Sequence, residues 1–95
     1  MSAVLSQSDI DTALQELPGW ARRDRAIERV LKLADFAAAM KLVNAVAAAA
    51  EAANHHPDIV INYNVVTLTL ISHDSGGVTQ HDLRMAEKIN GIVGL

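Results

Sequence analysis

Hydrophobic positions along the chain follow two periods, and the places where one gives way to the other mark seven elements. Near the start, Ile10, Ala13, Leu14 and Leu17 fall at i, i+3, i+4 and i+7, the spacing of one helix face. Ser8 with Asp11 three residues on supplies a capping start for that helix, and Pro18-Gly19 stops it. From Trp20 the period shortens to two. Ile27, Arg29, Leu31 and Leu33 alternate with Glu28, Val30 and Lys32, which predicts strands over 20–23 and 26–33 around a polar turn at Asp24. Asp35 is placed to cap a long helix in which Phe36, Met40, Val43, Ala47 and Ala50 keep helical spacing, ending near Ala53. Asn54, His55, His56 and Pro57 break it, because the residue before a proline is pushed out of the α region. Two β-branched strands over 59–63 and 65–73 then turn at Tyr63-Asn64, with Val66, Leu68 and Leu70 on one face and Thr67 and Thr69 on the other. After a turn at Ser75-Gly76-Gly77, Thr79 and Asp82 form a capping box for a last helix carrying Leu83, Ala86, Ile89 and Val93.

The order is therefore α-β-β-α-β-β-α. Strands joined by tight turns pair antiparallel, so an α+β fold is expected: a four-stranded antiparallel sheet with helices packed on one face, as a single domain over residues 1–95. Such a sheet has two edges, each a route to pairing with a second subunit.

Composition adds a constraint on size. A chain of 95 residues buries only about 60–65% of the surface its unfolded form exposes. Cysteine is absent, which removes both a disulfide framework and a thiolate zinc site. Hydrophobic residues make up 51% of the chain but aromatics only 3%, because alanine dominates. A core of such small side chains gains from assembly, and the alanines at 37–39 and 47–50 let helices approach closely, so a homo-oligomer, dimer or tetramer, is expected. A net charge of −3 argues against nonspecific nucleic-acid binding, which depends on neutralising phosphates. The most apolar run, Val43 to Ala50, is too short to span a bilayer, and the first residues lack a basic start with an apolar stretch behind it. The expected location is the cytoplasm, with no membrane partner.

Candidate chemistry gathers where the backbone turns. His55 and His56 follow the long helix, and His73 ends the last predicted strand on the side opposite Val66, Leu68 and Leu70. Were the helix end and strand end to meet, three imidazoles would share one cleft, and histidine suits proton transfer near neutral pH. Glu51 lies one turn before His55, within reach of its ring. The plainer reading of His55-His56 is a pair of helix-end caps favoured by the dipole. A metal site lacks H-x-x-x-H spacing, His81 reads as a surface residue, and Asp82 has its capping explanation. Nucleophilic catalysis finds no cysteine, and Ser72 lacks a strand–elbow–helix context. That leaves general acid–base work.

The run from Glu51 through Asn54, His55, His56, Pro57 and Asp58, then Tyr63-Asn64, Ser72-His73-Asp74 and Asp82, resembles the pterin-4a-carbinolamine dehydratase family in residue type and spacing. The resemblance extends to Leu17-Pro18-Gly19-Trp20 and Asp35-Phe36, so it covers nearly the whole chain. It implies dehydration of 4a-hydroxytetrahydrobiopterin to quinonoid dihydropterin in tetrahydrobiopterin recycling, with neither metal nor cofactor. By position it makes His55, His56 and His73 the catalytic and pterin-binding trio and Glu51 and Asp82 supporting carboxylates. It places His55, His56 and Pro57 with Ser72, His73, Asp74 and Ser75 around a small-molecule pterin. Within the trio, His55 and His73 are expected as the acid–base pair and His56 as an orienting group. One departure is Ile59, where family members often carry an aromatic residue; ring stacking then falls to Trp20 or Tyr63, although Trp20 more simply anchors the first strand.

Two other functions compete. Animal members of this family also serve as dimerisation partners of a transcription factor, so a protein-binding module is one alternative. A dehydratase acting on another pterin, as in molybdopterin metabolism, is the second, and it would carry the same catalytic residues.

Overall fold

The computed structural model describes residues 3–94. Its elements run α1 (Gln7–Leu14), β1 (Trp20–Arg23), β2 (Ala26–Lys32), α2 (Phe36–Ala53), β3 (Asp58–Asn62), β4 (Val65–Leu70) and α3 (Gln80–Val93). The strands form one antiparallel sheet in the order β1-β2-β4-β3. Alternation fixes which face is covered: Ile27, Arg29 and Leu31 on β2 and Val66, Leu68 and Leu70 on β4 are buried, while Val30 and Val60 point to the open side. All three helices contribute to the single buried layer, through Ile10, then Ala39, Leu42, Val46 and Ala50, then Met85, Ala86 and Ile89. The α+β order and antiparallel sheet expected from the hydrophobic periods are the observed ones.

Three local details differ from expectation. The first helix is capped by Ser6, whose hydroxyl accepts from the Asp9 N–H at 3.1 Å, rather than by Ser8. The long helix turns a different stripe to the sheet: Ala39, Leu42, Val46 and Ala50 are buried, whereas Phe36 is half exposed and Ala47 exposed. A helix so rich in alanine is apolar on every side, so periodicity alone does not fix its face. By length and composition it could also cross a membrane, yet its buried stripe lies in the core. Finally, β4 stops at Leu70, and Ser72 makes only an isolated bridge to Gly77, so His73 lies in a turn and not on the strand.

The α2 terminus sets the direction of the His55 segment. Asn54 adopts a left-handed conformation (φ 50°) and its N–H bonds the carbonyls of Ala50 and Glu51, closing the helix three residues ahead of Pro57. The chain reverses there and delivers His55 directly toward α3.

Far along α3, Asn90 ties the layers together. Its side-chain oxygen accepts from the Trp20 indole N–H at 2.9 Å and from the Arg29 guanidinium, and its amide donates to the Pro18 carbonyl at 3.2 Å. Burial holds Arg29 below its ordinary pKa, the direction desolvation imposes on a cation. Gly19, at φ +85°, lies against Arg29: a Cβ there would stand 2.6 Å from Nε, so both the backbone angle and the close approach require glycine. Asn90→Leu is expected to destabilise the fold by about 2–4 kcal/mol, because it leaves an indole N–H and a buried guanidinium without their acceptor. Urea unfolding checks this, and an unchanged midpoint would show that Asn90 is not a joint.

Candidate active site

The capping box at the start of α3 creates the site. Thr79 accepts from the His81 N–H, and the Asp82 carboxylate reaches back to the Thr79 N–H at 2.8 Å. Asp82 is fully buried, and its helix-cap bond satisfies only part of its acceptor capacity. The Ser72 hydroxyl donates to Oδ2 at 2.9 Å and also lies 2.8 Å from the Thr79 hydroxyl. The other carboxylate oxygen, Oδ1, faces His55 Nε2 at 2.5 Å. An acceptor at that position assigns the ring hydrogen to Nε2 and leaves Nδ1 for another partner.

The turn after β4 is held by its own backbone. Ser72 N–H bonds the Gly77 carbonyl at 3.0 Å, while the N–H groups of Ser75 and Gly76 bond the Ser72 carbonyl at 3.0 and 2.9 Å. Between this turn, the end of α2 and the start of α3 lies a cavity of about 420 Å³, walled by Ala53, Asn54, His55, Ser72, Asp74, Ser75 and His81. That volume falls in the ~300–1,000 Å³ range of small-molecule sites.

Of the residues singled out from sequence, His55, Ser72, Asp74 and Ser75 stand in the cavity wall, and Asp82 sits directly behind His55. His56 and His73 are exposed and stand outside that wall, as does Pro57, which follows His56 in sequence and is buried. The pairing of carboxylates differs from expectation. Glu51 pairs with His56, both largely exposed, and Asp82 is the partner of His55. The left-handed Asn54 explains the exchange, since it turns His55 away from the α2 face that carries Glu51. His81, read from sequence as a surface residue, is exposed yet walls the cavity, its ring centroid 5.9 Å from that of His55. Its place in the first turn of α3, beside Asp82, was the available signal. Trp20 is buried on Asn90 and Tyr63 stands 66% exposed at a hairpin tip, so neither ring faces the cavity. Among the described residues no group of three histidine, aspartate or glutamate side chains is arranged to hold a metal ion.

Comparison with known proteins places the chain in a family. The model of the pterin 4 alpha carbinolamine dehydratases matches residues 3–92. The chain belongs to that family. A Koribacter versatilis protein, named provisionally as a pterin-4-alpha-carbinolamine dehydratase, is 56% identical over 97% of this chain and 98% of its own length. A Mycobacterium avium protein with the same provisional name is 48% identical over 97% and 98%. Among solved structures, a Brucella melitensis protein described as a transcriptional coactivator/pterin dehydratase superposes with a TM-score of 0.91 at 40% identity, covering 96% of this chain and 99% of that one. A pterin dehydratase-like protein identified as a RuBisCO assembly factor in the alpha-carboxysome shares the fold at a TM-score of 0.64 and 18% identity, over 79% of this dehydratase-family chain and 87% of its own.

Asp82 thus gathers three donors from separate segments. Asp82→Ala is expected to lower stability by about 2–4 kcal/mol, since it removes the α3 cap and leaves Ser72 and His55 without their acceptor. It should also release the His55 ring, visible as averaging of its side-chain NMR signals. A fully stable variant with an ordered ring would show that Asp82 does not hold these segments together.

Proposed function

We propose that this chain is a 4a-hydroxytetrahydrobiopterin dehydratase, a hydro-lyase that works by general acid–base catalysis. The observation that carries the reading is the His55 imidazole, fixed by a buried carboxylate and set in the wall of a cavity large enough for a pterin. In the reaction the C4a–O bond breaks, a proton delivered to the departing hydroxyl completes a water molecule, and a proton leaves the ring system to give the quinonoid dihydropterin. Both transfers need groups that exchange protons near neutral pH and are held in position. His55 performs one of them through Nδ1, with Asp82 as the positioning residue that fixes tautomer and ring plane. The family motif assigns the second to His73, which is exposed outside the cavity wall in the turn whose neighbours Ser72, Asp74 and Ser75 line it. His56, paired with Glu51, takes the orienting role that the family motif implies.

A protein-binding role is the second reading, favoured by one observation: the Brucella melitensis relative is described as both coactivator and dehydratase. Recovery of one partner protein at stoichiometric level from a pull-down would support it. The chain is further expected to assemble. Phe36 on α2 and Val30 and Val60 on the open sheet face are each more than half exposed, and burying them gains about 25 cal/mol per Å² of apolar surface. Sedimentation should report a dimer or tetramer at micromolar concentration, and a stable monomer would contradict that expectation.

Stopped-flow dehydration of the carbinolamine tests the enzymatic reading. His55→Ala is expected to lower turnover by about 10²–10⁴-fold. His73→Ala is expected to lose activity while remaining folded. Unchanged turnover in His55→Ala would overturn the reading; unchanged turnover in His73→Ala alone would remove that residue from the mechanism.

A further inference from the structure

A second hollow adjoins the cavity at His55. It has a volume of about 350 Å³ and is walled by Ala53, His55, His81, Arg84, Met85 and Lys88. Three of these residues, Ala53, His55 and His81, also wall the first cavity, so the two hollows meet at the imidazoles. On the α3 side His81, Arg84 and Lys88 fall at i, i+3 and i+7, one face of the helix, which turns two cations and an imidazole into the same space. The chain as a whole is acidic, with eight lysines and arginines against eleven aspartates and glutamates. Even so, among the described residues neither Arg84 nor Lys88 has an ion pair or a side-chain hydrogen bond. Glu16 and Glu87 stand in a separate hollow that Arg84 also borders.

We propose that this basic hollow is a subsite for a phosphate group carried on the side chain of the pterin substrate. The subsite rests on the pterin reading of the neighbouring cavity and extends it from tetrahydrobiopterin, whose side chain carries no phosphate, to pterins with a phosphorylated side chain. A phosphomonoester carries close to two negative charges and three acceptor oxygens, a match for a planar arginine fork, a lysine ammonium and a nearby imidazole donor. With the pterin ring against His55, a substituent extending past His81 enters the space between Arg84 and Lys88. A neutral hydroxylated side chain would leave both cations facing water and gain little from them.

The test is equilibrium binding of 6-(hydroxymethyl)pterin and of its phosphate monoester, followed by pterin fluorescence. It uses the full chain and an Arg84→Gln/Lys88→Gln variant at low and at raised salt. Both side chains are exposed, and circular dichroism verifies that the variant keeps the fold. The unaltered chain should prefer the phosphate ester by about tenfold or more, as charge-assisted hydrogen bonds provide. That preference should shrink as salt rises and fall to within about twofold in the variant once its charged donors are gone. Equal affinity for the two ligands in the unaltered chain, or a preference that survives loss of both cations, overturns the subsite. Neither result touches the dehydration reading, which stands or falls on turnover of the unphosphorylated carbinolamine. Failure to bind either pterin would overturn the subsite and leave the dehydration reading to be decided by turnover.

Discussion

A carboxylate with no exposed surface must find donors for its oxygens, and Asp82 finds them in three parts of the chain. One donor is the backbone N–H at the head of its own helix, a second is the Ser72 hydroxyl after β4, and the third is the His55 ring after α2. Removing any one would leave the others holding a less compensated buried charge, so the three segments are fixed relative to one another. The cavity lies where they meet. The helix cap and the positioning of His55 at the cavity are therefore the work of one carboxylate, and a chain without metal-ligand clusters or disulfides among its described residues still holds an imidazole in place.

The opposite end of α3 is secured differently. Asn90 joins Trp20, Arg29 and Pro18, bringing the helix down onto β1 and β2 through a polar contact inside an otherwise apolar layer. The core between the two anchors consists mainly of aliphatic side chains and alanine, with Trp20 its one aromatic member. Such a core supplies limited burial energy, and hydrogen bonds to specific buried partners add the register that small interchangeable side chains do not. Loss of either anchor is therefore felt at the cavity, since α3 carries one wall of it.

Much of this was legible in the sequence because it depends on local rules. The alternation around Ile27–Leu31 and Val66–Leu70, the Asp35 cap and the Thr79–Asp82 box are statements about neighbouring residues, and each appears where its pattern lies. The features that escaped depend on three-dimensional placement. Periodicity pointed to the stripe of Phe36, Met40, Val43, Ala47 and Ala50 on α2, whereas Ala39, Leu42, Val46 and Ala50 are buried, because alanine makes every face apolar. Counting one helical turn linked Glu51 to His55, but the left-handed Asn54 redirects His55 toward a carboxylate 27 residues away. His81 looked like an ordinary first-turn residue, and only the approach of α2 to α3 brings its ring against that of His55. Asn90 carried no sequence signal at all, because its partners are 61 to 72 residues distant.

Under the proposed dehydratase function, Asp82 acts through His55 and not by a separate route. A double-mutant cycle on carbinolamine dehydration isolates that coupling, using Asp82→Asn, His55→Ala and the combined variant, with each shown to be folded. Asp82→Asn is expected to slow dehydration in the otherwise unaltered chain and to add no further loss once His55 is alanine. Losses that multiply independently in the double variant would contradict it.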